Sequence, residues 1–402
     1  MCIRDRSIAK GADGLTALNL VMPLYSIIFS IGEMIGVGSA IRYAISKIKK
    51  DADADDYFWN ALIWCILSSM LFVFAGIFFS ADIMRVLGAD EHIVAVGNNY
   101  TKIFMCFAPM FMCNYVTNAF VRNDGAPGIA MSATLFSSLF NIVFDYILMF
   151  PMNLGMEGAA LATALSPIIG MGICSIHFFS KKSSVRLVVC KPSVRKLVAG
   201  CQLGVSAFVG EMSSAVITLA FNFVILKLAG NVGVAAYGVV ANIAIVTTAV
   251  FNGVAQGSQP LISSCFGRGD KDGCTQLKRM GYTTAFVLAA VMYSILFIFA
   301  GQFVAVFNSE GSEMLRLYAT EGVKLYFIGI FFAGINIVGG GAFSATEDAF
   351  KAAVVSVARG FVLILGAVFV MSAFFGMTGV WLAYAVAEGI TTFIMLVMAM
   401  RV

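Results

Sequence analysis

Long apolar runs follow one another along the whole chain, separated by short polar segments. A helix that crosses a bilayer needs about 20 mainly apolar residues. Runs of at least that length predict an all-α polytopic membrane protein with eleven visible transmembrane helices. The predicted spans cover residues 14–45, 57–80, 96–121, 128–150, 156–180, 198–228, 232–262, 280–306, 317–344, 350–374 and 378–400.

The polar connectors alternate in charge. Basic residues such as Lys47, Lys181 and Arg268 lie in every second connector, whereas the others are short or acidic, as in PMNLGMEG at 151–158. Positively charged connectors stay in the cytoplasm. The pattern therefore predicts a cytoplasmic C-terminus.

Two segments of the first half recur in the second half. GADGLTA at 11–17 matches GNVGVAA at 230–236, and GMEGAALATA at 155–164 matches GMTGVWLAYA at 376–385. Matches at nearly equal offsets predict parallel repeats, related by an axis along the membrane normal. We therefore expect two helical bundles.

The second repeat has a helix, 198–228, ahead of its first match, so we expect a corresponding helix ahead of GADGLTA. An intact protein would then have twelve spans as six plus six, of which five plus six are visible. The opening MCIRDR has no signal-peptide pattern and is interpreted as a non-native start. The predicted parts are 1–10 (start and remnant), 11–182 (N-lobe bundle, first helix missing), 183–197 (cytoplasmic linker) and 198–402 (C-lobe bundle).

Composition narrows the function classes. Of 402 residues, 60% are hydrophobic and 12% are charged, whereas a soluble protein has about 25% charged residues. The net charge of +4 is too small and scattered for a nucleic-acid partner. The nine cysteines form no CxxC pair, so no metal site is expected. No catalytic pair or phosphate-binding loop is visible, which argues against an enzyme, an ATP-driven pump or a bound cofactor.

Asp145 is the most informative polar residue. It lies inside an apolar run, four residues after Asn141 and so on the same helical face. A carboxylate at that depth costs about 2.5–3.5 kcal/mol or more and indicates a functional site. Thr163 follows the turn near 153–154 by about as many residues as Asp145 precedes it, which places both at one depth in a hairpin.

Other polar residues lie at membrane depth in both halves. Amides and hydroxyls there often make hydrogen bonds between helices, so helix packing and a polar cavity both stay open as interpretations. Arg359 is expected to extend its charge toward the cytoplasmic surface. The further candidates are Glu33, Asn114, Asn118, Glu211, Gln256 and Asn336.

Four motifs in this order resemble the multidrug and toxic compound extrusion family over nearly the whole chain. They are NDGAPGIAMSAT at 123–134, NIVFDYIL at 141–148, GMEGAALATALS at 155–166 and GVAQGSQPLISSCFGRGD at 253–270. The resemblance implies a first-lobe site for the coupling cation, formed by Asn118, Asn141, Asp145 and Thr163. It also implies that Asn114 lines the substrate cavity, to which we add Glu33, Glu211, Gln256 and Asn336 as candidates.

The expected function is therefore secondary antiport. Two bundles would alternate access to a cavity, exporting amphipathic or cationic drugs or metabolites in exchange for H⁺ or Na⁺. The resemblance implies a monomer in a bacterial inner membrane, with small-molecule substrates and the lipid bilayer as its partners. A lipid-linked saccharide flippase with a similar two-lobed bundle stays open as an alternative, and a membrane-embedded enzyme or receptor is a further one.

Overall fold

The computed structural model describes residues 2–307 and 312–400, and within these ranges the chain is helical without any strand. The chain divides into two compact units, Met1–Phe208 and Val209–Val402. The helices are α1 (Cys2–Lys49), α2 (Asp56–Val86), α3 (Glu91–Cys106), α4 (Ala108–Asn123), α5 (Pro127–Met149), α6 (Gly155–Phe178), α7 (Val194–Gly267), α8 (Lys271–Ile298), α9 (Ala300–Phe307), α10 (Glu313–Tyr326), α11 (Ile330–Ala345), α12 (Ala349–Val357) and α13 (Leu363–Met400).

Two left-handed glycines divide two of the long helices. Gly230 (φ 61°) interrupts α7 and Gly376 (φ 57°) interrupts α13. Phe221 stacks on Tyr237 with ring centroids 5.0 Å apart. Sixteen residues of straight helix would separate these rings by about 24 Å, so the chain turns back at Gly230.

A third break lies between α3 and α4. The two helices meet at 44° around Phe107, where Pro109 occupies the first turn of α4 and cannot donate its backbone nitrogen. The pair is one bent span. The described residues contain nine apolar stretches of spanning length if this pair counts once. The turns in α7 and α13 each divide one stretch, which confirms the eleven predicted spans.

Glycines on α1 permit close helix packing in the first unit. A Cβ at Gly32 would lie 3.0 Å from the Met112 backbone, and one at Gly36 would lie 3.0 Å from the Tyr115 backbone. Small residues at such contacts let helices pack closely where no hydrophobic effect drives them together. The Gly32–Gly36 spacing therefore joins α1 to α4.

The segment between α6 and α7 is held against α2 in the first unit. The Ser193 backbone N–H donates to Asn60 Oδ1 at 2.6 Å, and Asn60 Nδ2 donates to Cys190 Sγ at 3.0 Å. Lys196 forms an ion pair with Asp56. Much of the predicted linker 183–197 is thereby anchored to the first unit.

Asp124, which follows α4, holds the start of the same segment. Its carboxylate lies 2.8 Å from His177 Nε2 and accepts hydrogen bonds from the Ser184 backbone N–H at 2.9 Å and from Tyr43 Oη at 3.3 Å. Ser183 Oγ donates to it as well, at 3.2 Å. One buried carboxylate thus connects α1, α4 and α6 with the segment that leaves α6.

The second unit has a continuous aromatic core. Phe221, Tyr237, Phe251, Phe327 and Trp381 are all buried in one cluster. By contrast, many apolar side chains on the outer faces of both units are exposed. Leu71, for example, is 73% exposed on α2. In a protein with spanning helices, such faces contact lipid.

Candidate functional site

Asp145 lies one turn before the end of α5 and is 1% exposed. One turn earlier, Asn141 Nδ2 donates a hydrogen bond of 3.3 Å to Thr163 Oγ1 on α6. The α5–α6 hairpin therefore brings Asn141 and Thr163 together beside the turn of α5 that carries the acid. The residue count around the turn predicts Asp145 level with Thr163, whereas the hydrogen bond joins Thr163 to Asn141, one turn earlier on the same face of α5.

Glycines place α6 close to α5. Gly155 adopts φ +52°, a left-handed conformation in which other residues are strained. A Cβ at Gly158 would lie 2.7 Å from the carbonyl oxygen of Leu148. The turn and the close helix contact together bring the hydroxyl of Thr163 within reach of α5.

Asn118 lies elsewhere in the first unit. Its Nδ2 donates to the Ala130 carbonyl at 3.1 Å and to Thr134 Oγ1 at 3.2 Å. These positions precede Asp145 by 11 to 15 residues of α5, or about 16–22 Å along the helix axis. The structure therefore does not bring Asn118 to the acid, because α4 and α5 are antiparallel and Asn118 contacts the opposite end of α5.

Asn114 contacts α6 through its side chain. A Cβ added at Gly170 would lie 2.6 Å from Asn114 Oδ1, an oxygen that is buried without a hydrogen-bond partner. Ser137 of α5 lies beside the same glycine. A buried acceptor without a donor is costly, so this oxygen is available to an incoming N–H or cation.

Glu33 lies in the first unit, whereas Glu211 and Gln256 lie in the second unit. Glu33 on α1 is partly buried and attracts the Arg122 guanidinium electrostatically. Glu211 and Gln256 are partly buried on α7 in the second unit. Glu33 therefore has a local counter-charge within the first unit.

Asn336 is the centre of a second polar cluster, which we call the Glu388 cluster: Asn336, Arg359, Tyr384, Glu388 and Thr392. Asn336 Nδ2 donates to Glu388 Oε2 at 2.7 Å, and Asn336 Oδ1 accepts from Thr392 Oγ1 at 3.0 Å. The amide nitrogen and the amide oxygen of Asn336 therefore both have hydrogen-bond partners inside the second unit.

Arg359 completes this cluster. Its Nε lies 2.5 Å from Glu388 Oε1, and the guanidinium also hydrogen-bonds to Tyr384. Tyr384 stacks on Tyr326 with ring centroids 4.3 Å apart and planes nearly parallel. The expectation that Arg359 extends to the membrane surface is wrong, because a buried carboxylate holds the guanidinium inside the unit.

Two irregular helix turns lie at or next to the Glu388 cluster. Arg359 lies in a π-helical turn, Ala358–Val362, and a 3₁₀ turn, Phe327–Gly329, follows Tyr326. π-helical turns occur often at functional sites. A Cβ at Gly329 would lie 2.5 Å from the Tyr384 ring. The glycine leaves space for the phenol next to Arg359.

A comparison with models of protein families identifies the family of this chain. The model of the family described as MatE matches residues 7–147 and residues 207–370, one stretch in each half. The chain belongs to the MatE family. The resemblance drawn from the four motifs is confirmed, and the chain is accordingly a member of a transporter family.

Relatives of this MatE protein include two named multidrug export proteins. "Multidrug export protein MepA" of Staphylococcus saprophyticus is 26% identical over 383 residues, covering 94% of this chain and 83% of the relative. The protein of the same name from Staphylococcus aureus is 27% identical over 388 residues with equal coverage. The similarity covers 94% of the chain and therefore extends over both lobes.

Solved structures share the fold of the MatE chain. A transporter of the MOP superfamily from Pyrococcus furiosus has a TM-score of 0.91 at 19% identity, covering 100% of this chain and 90% of that one. An outward-facing multidrug resistance MATE family transporter has a TM-score of 0.88 at 20% identity, covering 99% and 90%. The all-helical fold of the family is therefore shown for this chain.

Sequence reasoning missed Glu388 in the MatE chain. The available signal was a stripe, since Tyr384, Glu388 and Thr392 recur every four residues and share one helical face. In the described residues, no group of three or more His, Cys, Asp or Glu side chains is arranged to hold a metal ion.

Proposed function

We propose that the protein is a secondary antiporter that exports amphipathic organic cations in exchange for H⁺ or Na⁺. The observation that carries this proposal is the burial of Asp145, 1% exposed on a membrane-length helix beside the Asn141–Thr163 hydrogen bond. A charged carboxylate at this depth is costly. Its negative charge therefore favours a bound cation.

Competition for this carboxylate would couple the two fluxes. When Asp145 is ionised, it favours a cationic substrate. When H⁺ or Na⁺ neutralises it, that attraction is lost and the substrate leaves. Because Asn141 and Thr163 form one hydrogen bond beside the acid, a change in its charge alters the local hydrogen-bond pattern. Each state thus excludes the other ligand, as antiport requires.

Substrates would be recognised by apolar surface and charge. The chain has 36 Phe and 22 Met residues, and flexible thioethers with aromatic rings adapt to ligands of different shape. The similarity to proteins named multidrug export proteins supports a broad substrate range. We propose organic cations, since Asp145 is the buried charge they would meet.

The protein would act as a monomer in the bacterial inner membrane. Its basic connectors, including Lys181 and Arg268, would face the cytoplasm, and the C-terminus would lie on the same side. The lipid-linked saccharide flippase receives less support. Binding a pyrophosphate would require several free basic groups, whereas Arg359 is paired with Glu388.

The direct test is ethidium efflux from proteoliposomes under an imposed H⁺ or Na⁺ gradient. Asp145→Asn should abolish gradient-driven efflux while the amount of inserted protein stays equal. Asp51→Asn is the matched control, because Asp51 is exposed in the α1–α2 connector and should transport like the wild type. Gradient-driven efflux by Asp145→Asn at the wild-type rate would contradict the proposal.

A further inference from the structure

The second unit contains an acid whose carboxylate is already occupied. Glu388 is 2% exposed. Its Oε1 accepts from Arg359 at 2.5 Å and its Oε2 accepts from Asn336 at 2.7 Å. Both oxygens are therefore engaged by groups of the protein itself, one of them a full positive charge.

We infer that Arg359 is a tethered counter-cation: its guanidinium occupies the carboxylate of Glu388, so that this buried acid of the second lobe does not take up the exchanged H⁺ or Na⁺. This inference rests on the proposed antiport. It assigns a specificity role to Arg359, since it sets which acid of the transporter takes a cation from solution.

Charge balance supports the assignment. Arg359 and Glu388 together are neutral, and a guanidinium keeps its proton in proteins. For H⁺ or Na⁺ to bind Glu388, Arg359 would have to leave and remain charged inside the unit. Removing one partner of a buried ion pair is strongly unfavourable, so the external cation is excluded.

The backbone holds Arg359 in place. It lies in the π-helical turn, and a Cβ at the next residue, Gly360, would be 2.6 Å from Ser213 Cβ on α7. This close packing fixes the turn that carries the guanidinium. The hydrogen bond to Tyr384 fixes its orientation. Arg359 is therefore a built-in ligand of Glu388.

Among the residues that the structure describes, the titratable groups that face the pair are phenols. Tyr384 comes from the same helix as Glu388, Tyr326 comes from α10, and Tyr237 of α7 lies next to Tyr326. These phenols are uncharged near neutral pH. The charge of the Glu388 cluster is thus set by Arg359 and Glu388.

The test compares cation-dependent stabilisation of purified full-length protein. A cation that binds the folded state raises the unfolding midpoint, measured in NaCl against choline chloride at equal ionic strength, and at acidic against alkaline pH. Asp145→Asn should remove the cation-dependent shift. Adding Arg359→Gln to this variant should restore a shift, because Glu388 is then open to H⁺ or Na⁺. Adding Glu388→Gln should remove it again.

The neutral pair Arg359→Gln/Glu388→Gln, in an otherwise wild-type chain, keeps the test decisive if Arg359→Gln alone does not fold. It leaves no unpaired charge, and it should show the wild-type cation shift and the wild-type ratio of ions to ethidium in proteoliposomes. Arg359→Lys keeps the positive charge and should behave in the same way. If the neutral pair has a smaller cation-dependent shift or a lower ratio of ions to ethidium than the wild type, the inference is overturned.

The two proposals fail separately. If Asp145→Asn and the neutral pair each keep coupled ethidium efflux and the cation shift, the proposed role of Asp145 is wrong, whereas the inference that Glu388 binds no external cation stands. If Asp145→Asn keeps a cation shift that the neutral pair removes, Glu388 binds external cation despite Arg359. The tethered-cation inference is then wrong.

Discussion

The two lobes use repeat-related hairpins to bury an acid in different ways. Thr163 and Tyr384 occupy matching positions in the repeat. In the first lobe the acid, Asp145, lies on the first helix of its hairpin, beside an amide–hydroxyl hydrogen bond. In the second lobe the acid, Glu388, lies one turn after Tyr384 on the second helix and is paired with an arginine.

This difference shows that the repeat fixes the scaffold and leaves the charges free to diverge. The glycine turns are equivalent, because Gly155 and Gly376 both adopt a left-handed backbone at the repeat offset. The polar groups on those hairpins are not equivalent. One scaffold thus carries a buried aspartate on one hairpin in the first lobe and an arginine–glutamate ion pair in the second lobe.

The largest expected effect on stability comes from breaking the ion pair between Arg359 and Glu388. Glu388→Gln leaves Arg359 buried without its carboxylate and should lower the free energy of unfolding by about 3–5 kcal/mol. Asp51→Asn, at an exposed position of the α1–α2 connector, should cost clearly less. Thermal or denaturant unfolding in detergent measures both, and equal losses would contradict the stabilising role of the buried ion pair.

A smaller effect tests helix packing in the two hairpins. A Cβ at Gly379 would lie 2.0 Å from the Met371 carbonyl oxygen, whereas one at the equivalent Gly158 would lie 2.7 Å from the Leu148 carbonyl oxygen. Overpacking costs about 1–3 kcal/mol. Gly379→Ala should therefore destabilise the protein more than Gly158→Ala in the same unfolding assay. The reverse order would show that the second hairpin relaxes more easily.

The turn glycines should behave alike in both lobes. Gly155→Ala and Gly376→Ala place a side chain at positive φ, where an L-residue costs about 1–2 kcal/mol, and no neighbour lies within 4 Å of the new Cβ. Gly172→Ala is the control, since it lies within α6 with equal space. The control should not destabilise, and unequal losses at the two turns would show that the hairpins differ in strain.

The smallest effect concerns the segment anchored on the first lobe. Burial, with a contribution from Asp56, raises the pKa of the Cys190 thiol above its usual range, so that less thiolate exists at neutral pH. Asp56→Asn should lower this pKa and accelerate alkylation of Cys190 severalfold at pH 7. The acceleration should disappear at alkaline pH, where the thiol is ionised in both proteins. Peptide mass spectrometry measures the rate, and an unchanged rate at pH 7 would contradict the contribution of Asp56.

Much of the fold could be predicted from local patterns. Apolar runs of spanning length located all eleven spans, and matching motifs located the glycine turns at Gly155 and Gly376. Counting residues on both sides of one turn predicted that α5 and α6 bring polar groups to similar depths, although the hydrogen bond to Thr163 comes from Asn141, one turn before Asp145. These features depend on neighbours within one or two helices, which the sequence shows directly.

The placement of Asn118 and the partner of Glu388 did not follow from local patterns. The resemblance to the family groups Asn118 with the first-lobe site. The antiparallel packing of α4 and α5 instead places Asn118 at the other end of α5. Arg359 and Glu388 are 29 residues apart, on either side of the Gly376 turn. Each is a single charge in an apolar run, and only helix packing shows that they cancel.

The sequence by itself determined the spans, the repeat, the family motifs and the buried position of Asp145, because hydropathy and helical periodicity act along the chain. The tertiary structure decided which polar groups meet. It joined Arg359, Glu388 and Asn336 into one cluster and gave the second acid a permanent counter-charge. The physical reason is that an ion pair in a low-dielectric interior depends on distances of a few ångströms between separate helices, which packing alone sets.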